Sequence, residues 1–140
     1  MSEATAVLFP HGADIGVRGL GRTRAEAFAA AAAALVGAVA EPARIAAKQR
    51  VEIECAAPDD RLLFCDWLNA VIYEMAVRRM VFCRFEVALS DHRLHASAWG
   101  EEADPVKHRP ATEPKGATMS GLRVARRPDG MWVAECIVDV

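Results

Sequence analysis

The segment 25–40 restricts the fold more than any other, because it is nearly all alanine, interrupted only by Glu26, Phe28, Leu35, Val36, Gly37 and Val39. Alanine is the strongest helix former. Phe28, Ala31, Ala32, Leu35, Val36 and Val39 recur at three- and four-residue spacing, which places them on one buried stripe. Side chains this small let a sheet approach the helix closely. Thr23-Arg24-Ala25-Glu26 matches a capping box, in which the Thr hydroxyl and the Glu carboxylate satisfy amides at the first turn, and Glu41-Pro42 ends the helix. The alanine run is therefore read as a packing face; Glu26, Gly37 and the helical period argue against both a linker and a membrane span.

The flanking sequence supplies the sheet. Residues 6–9 form a short apolar run that leads through Pro10 into His11-Gly12-Ala13-Asp14-Ile15-Gly16, and residues 15–20 alternate as a strand before a turn at Gly21-Arg22. Val51-Glu52-Ile53-Glu54-Cys55 alternates strictly, a strand with one wet face. Asp59 or Asp60 then caps a second helix whose Leu62, Leu63, Phe64, Cys65, Trp67, Leu68, Val71, Ile72, Met75 and Val77 cover more than half its circumference, so it is expected at the centre. Its polar stripe, Asp66, Asn69 and Tyr73, reads as the solvated side rather than an edge facing a ligand. Residues 81–89 and 93–99 flank the turn cluster Ser90-Asp91-His92 and predict a hairpin. Two prolines and a charge cluster make 100–110 a polar loop, and strands at 122–125 and 131–140 follow around the turn 126–130. Strand, helix, strand, helix and then four or so strands predict a single α+β domain over 1–140. Two helices pack on a mainly antiparallel sheet or pair of sheets.

Composition narrows the function classes. A formal charge of -2 offers no general attraction to nucleic acid or to an anionic membrane, so no strong direct binding to either is expected. Cys55, Cys65, Cys83 and Cys136 are scattered without a C-x-x-C pair and read as buried thiols of a reducing compartment. Residues 1–6 carry Glu3 and no basic stretch before an apolar run, so no secretory signal is expected and the cytoplasm is the default location.

Common catalytic signatures are missing: the sequence has no G-x-S-x-G elbow and no phosphate-binding loop, and Gly19-Leu20-Gly21 begins a dinucleotide fingerprint without completing it. Cys65 or Cys83 with His108 is a poor nucleophile and base pair, since thiols in apolar runs are usually inert. His92 and His95 lack companion ligands and read as surface residues. Gly12 and Gly16 shape the segment that presents His11 and Asp14, although an Asp beside Gly also fits a solvated turn. Asp14, with Asp139 near the last residue Val140, offers hard oxygen donors for Mg²⁺, Mn²⁺ or Ca²⁺ if those segments meet in the fold.

Taken together, several motifs resemble the archease family. They are His11-Gly12-Ala13-Asp14-Ile15-Gly16, Asp66-Trp67-Leu68-Asn69, Gly100-Glu101-x-x-Asp104-Pro105-x-x-His108, Thr112-Glu113-x-Lys115 and Val138-Asp139-Val140, in order from His11 to the last residue. The resemblance implies an archease-like domain and an auxiliary protein, not an enzyme. Its partner would be the GTP-dependent RNA-splicing ligase, whose histidine guanylylation and repeated turnover it promotes in tRNA splicing or RNA repair. It further implies that Asp14, Asp139 and Val140 bind a divalent cation, and that Lys115 acts with Asp14 and Asp139 in activating the ligase. His11, Glu101, Asp104 and His108 would support the loops around that tip. Gly12 stands where relatives usually carry Thr, Pro114 where a β-branched residue is common, and Ser120 where a histidine is frequent. Two other readings are a chaperone or modulator of an RNA-modifying enzyme such as a tRNA methyltransferase, and a small metal-dependent hydrolase built on His11, Asp14 and Asp139.

Overall fold

In the computed structural model, which describes residues 4–140, strand β1 (Thr5–His11) runs antiparallel to β2 (Asp14–Gly21) through a two-residue turn at Gly12-Ala13. Gly12 has φ +59°, the sign that the tight turns of two-residue hairpins require. The sequence reading stopped the first strand before the His11 motif. Pro10 is tolerated inside β1 because β1 is an edge strand, where a missing amide hydrogen breaks no interior ladder.

Helix α1 (Arg24–Val39) begins as the capping box predicts, with the Thr23 hydroxyl accepting from the Glu26 amide at 3.1 Å. All six residues of its predicted stripe are buried. It lies so close to β2 that a Cβ at Gly19 would sit 2.0 Å from the Ala27 carbonyl oxygen and 2.4 Å from the Ala31 nitrogen. Gly19 and Gly21 thus serve helix–strand packing, which explains a glycine pair that completes no dinucleotide motif.

Strand β3 (Gln49–Ala56) leads to α2 (Asp60–Arg78), whose Asp59 side chain accepts from the Leu62 amide while Asp60 binds Arg24 at 2.8 Å. Arg79, in the left-handed region at φ +53°, closes the helix and opens β4 (Met80–Ser90). Asp91 and His92, both at positive φ, turn the chain into β5 (Arg93–Glu102). A single helical turn, α3 (Pro105–His108), precedes β6 (Gly116–Ala117), β7 (Arg123–Arg126) and β8 (Trp132–Asp139).

The strands form two antiparallel sheets: one ordered β1-β2-β8-β6 with β7 also paired to β8, the other β3-β5-β4. Both long helices touch strands of both sheets. The α+β reading holds, and the pair of sheets is the form it takes. Trp67 of α2 is fully buried and donates its indole hydrogen to the Phe28 carbonyl of α1 at 2.9 Å, which locks the helices together at the centre. Among the described residues, no helix is long and apolar enough to cross a membrane.

A second segment departs from the sequence reading. Gly100, Glu101 and Glu102 are not loop but the last residues of β5, the middle strand of its sheet. The charges are accommodated because the buried carboxylate of Glu101 is surrounded by donors. Gly100 faces β4 where the pairing register shifts between Phe82 and Arg84, and a Cβ there would meet the Val81 carbonyl oxygen at 1.9 Å.

Candidate functional site

Three neighbouring strands of the larger sheet end together, and the candidate residues lie on those ends. Asp14 is the first residue of β2 and Asp139 the last of β8. The β2–β8 ladder pairs Ile15 with Val138, so one further step places Asp14 opposite Asp139. On the far side of β8, Gly116 pairs with Asp139, and the Lys115 amide donates to the Asp139 carbonyl at 2.8 Å. His11 pairs with Asp14 across the β1–β2 hairpin. His11, Asp14, Asp139 with Val140, and Lys115 therefore form a row across four strands.

Asp139, Lys115 and His11 are exposed, whereas Asp14 and Val140 are half-buried. Among the described residues, none of the side chains of His11, Asp14, Lys115 and Asp139 is engaged in a hydrogen bond or ion pair. Asp14 closes the Gly12-Ala13 turn as the first residue of β2, and its carboxylate is spent neither on a helix cap nor on the turn. Like charges opposite one another on adjacent strands are unfavourable. Two carboxylates held this way supply hard oxygen donors suited to a divalent cation. Among the described residues, no three His, Cys, Asp or Glu side chains converge to form a complete ligand set, so the main-chain oxygens of Val140, water or a partner would have to complete it.

The motif residues Glu101, Asp104 and His108 are not at this tip. They form a self-contained network beside β5. The Glu101 carboxylate accepts from the Ala46 amide at 2.8 Å, from Lys107 Nζ at 2.7 Å and from His108 Nε2 at 3.0 Å, with Lys48 Nζ at 3.6 Å. His108 is buried, and its Nδ1 accepts the Asp104 amide hydrogen at 2.8 Å, which leaves Nε2–H to donate to Glu101. Asp104 caps the helical turn by accepting from the Val106 and Lys107 amides. Arg109 leaves the turn at φ +46°, and the Ala111 amide donates to the Val39 carbonyl, so the stretch that leads to Lys115 is fastened to the end of α1.

These donors, Lys107 foremost and then the Ala46 amide and His108, hold the Glu101 carboxyl well below the usual value of 4.5. A depressed folded-state value means that the network's stabilisation is complete above 4.5 and is lost as pH falls through the folded-state value. Glu101→Gln should therefore lower the thermal midpoint by several degrees at pH 7. The gap from wild type should shrink progressively as the pH is lowered from about 5, because the unfolded chain takes up a proton before the folded carboxylate does. Thermal melts of both proteins across that range check it; a gap that stays constant would show that the charge of Glu101 plays no part.

The thiols offer no chemistry here. All four cysteines are free, and burial pushes Cys55 up to about 11 and Cys136 up to about 12, with Cys65 and Cys83 raised for the same reason. Thiols so protonated are poor nucleophiles near neutrality. His95 is exposed between Glu54 at 3.2 Å and Glu52 at 3.0 Å, an ion-pair cluster on the outer face of the smaller sheet.

Asn69 is the residue whose place the sequence reading missed. It was assigned to the solvated stripe of α2 with Asp66 and Tyr73; those two are exposed, but Asn69 is half-buried against β6. Its Oδ1 accepts from the Ala117 amide at 2.8 Å and its Nδ2 lies 3.5 Å from the Ala117 carbonyl oxygen. The available signal was an indifferent helix former set among apolar residues in mid-helix.

Comparison with known proteins agrees with this architecture. The Archease protein family (MTH1598/TM1083) matches residues 7–140. Protein archease of Pyrococcus furiosus is 35% identical over 136 residues, covering 94% of this chain and 96% of that protein. Protein archease of Methanosarcina barkeri is 33% identical over 136 residues, covering 93% and 92%. The solution structure of Methanobacterium thermoautotrophicum protein 1598 superposes with a TM-score of 0.82 at 24% identity over 96% of this chain and 98% of that one, a likeness of fold. With a family match across nearly its whole length and relatives above 30% identity, the chain belongs to the archease family.

Proposed function

We propose that this chain is an activator of the GTP-dependent RNA-splicing ligase, an auxiliary protein that promotes guanylylation of the ligase histidine and sustains repeated turnover without catalysing ligation itself. The observation that supports this reading most is the shared end of β2, β8 and β6, where Asp14, Asp139, Val140 and Lys115 gather from opposite ends of the chain. Asp14, Asp139 and the main-chain oxygen of Val140 would hold a divalent cation, Mg²⁺, Mn²⁺ or Ca²⁺ by donor hardness. Such a cation neutralises phosphate charge during nucleotidyl transfer. Lys115 supplies a mobile point charge for a phosphate or an acidic group of the ligase. With a net charge of -2 the chain would reach RNA through the ligase rather than directly. Four free thiols fit work in the cytoplasm.

The test uses purified ligase, GTP, a divalent cation and sub-stoichiometric amounts of this chain, with guanylylated ligase as the readout. Wild type should accelerate guanylylation, and Asp14→Ala, Asp139→Ala and Lys115→Ala should each reduce the acceleration by roughly a hundredfold or more, the order of loss when one preorganised electrostatic group is removed. Folded variants that stimulate as well as wild type would sink the assignment. Stimulation of a tRNA methyltransferase with none of the ligase would favour the modulator reading. Phosphodiester turnover by the chain alone would favour a hydrolase.

A further inference from the structure

Strand β6 is only Gly116 and Ala117, too short to hold its own position. One edge is fixed by β8, through the Lys115 amide to Asp139 at 2.8 Å and the Thr118 amide to Ile137 at 2.9 Å. Along the other edge there is no strand among the described residues; the Asn69 carboxamide is there instead. Its Oδ1 takes the Ala117 amide hydrogen at 2.8 Å and its Nδ2 faces the Ala117 carbonyl at 3.5 Å. A carboxamide has the same donor and acceptor as a peptide unit, so Asn69 bonds β6 as a neighbouring strand would. Around it, Cys65 Sγ lies 3.7 Å from Nδ2 and 3.8 Å from the Ala117 oxygen.

We propose that Asn69 is a positioning residue for Lys115: by standing in for a strand on the free edge of β6, it fixes the backbone that carries the lysine beside Asp139. The inference rests on the reading of Lys115 as part of the ligase-activating tip. Rigid α2, capped by Asp59 and locked to α1 through Trp67, is the anchor. Without the carboxamide, β6 keeps its bonds to β8 but loses its register against the helix, and misplacing a charged group by about 1 Å is enough to lower activity by orders of magnitude.

The experiment compares Asn69→Leu, which is nearly isosteric and lacks both hydrogen-bonding groups, with Lys115→Ala and the double variant in the guanylylation assay. Amide exchange at Ala117 and at Val71 is followed in the same proteins. Asn69→Leu should speed exchange at Ala117 while leaving Val71 protected, and should reduce stimulation roughly tenfold. In the Lys115→Ala background, Asn69→Leu should cost nothing further, because its effect runs through the lysine. Asn69→Asp keeps the acceptor for the Ala117 amide and should recover most of the stimulation that the Leu variant loses; it also serves if the Leu variant folds poorly. Additive losses in the double variant, undiminished stimulation by Asn69→Leu, or an Asp variant no better than Leu would overturn the inference while leaving the ligase reading standing. Full stimulation by Lys115→Ala would overturn the inference together with the role of Lys115, whereas no stimulation by wild type would overturn the ligase reading itself.

Discussion

Gly19→Ala should cost about 3 kcal/mol and lower the thermal midpoint by roughly 10 °C, the upper end of what overpacking does in a domain of this size. The added methyl would sit 2.0 Å from the Ala27 carbonyl oxygen and 2.4 Å from the Ala31 nitrogen, both backbone atoms of α1. A side chain in its way could rotate; the helix backbone cannot. Relief requires α1 to lift from β2, and α1 also packs on β1, β4 and β8, so the shift would disturb its packing on both sheets. Gly37→Ala is the matched control. It lies in the same helix, exposed, with nothing within 4 Å of the added Cβ, and should stabilise by about 0.5–1 kcal/mol through helix propensity. Thermal melts of both variants check the pair, and a Gly19→Ala protein as stable as wild type would show that the sheet and helix are not in close contact.

That contact also shows how much of the fold was legible. The alanine face and the capping box are local patterns that the structure reproduces, and α2 follows its apolar period except near its end, where Val77 is exposed. Glu101 was misread for a physical reason: charge and proline argue against a central strand, and only the non-local Ala46 amide, together with Lys107 and His108, makes its burial tolerable. Asn69 failed in the same way, its partner being 48 positions along the chain. The candidate tip is the extreme case. Asp14, Asp139 and Lys115 meet through the register of β2 with β8 and of β8 with β6, which no single stretch of sequence encodes, so their association came from family resemblance and not from spacing.

Asp14 and Asp139 should then respond to divalent cation with a reversal of sign. In chelator, Asp139→Asn should be slightly more stable than wild type, by about 0.5 kcal/mol, because it removes a like charge from across the ladder. The Lys115 amide donates to the Asp139 carbonyl, a main-chain bond that the substitution leaves intact. With cation at about a hundred times its dissociation constant, wild type should gain roughly 2.7 kcal/mol from binding to the folded state alone, and the variant much less. The order of stability would therefore invert between the two conditions. Asp14→Asn should behave in the same way, and combining the two should add little to the lost cation response, since either change spoils a shared site. A carboxylate that merely supported the fold would give the opposite pattern: loss of stability in chelator and an unchanged response to cation. Thermal melts in chelator and in Mg²⁺, Mn²⁺ and Ca²⁺ separate the two cases without any ligase present, and the ion giving the largest shift would be the one that the proposed site prefers.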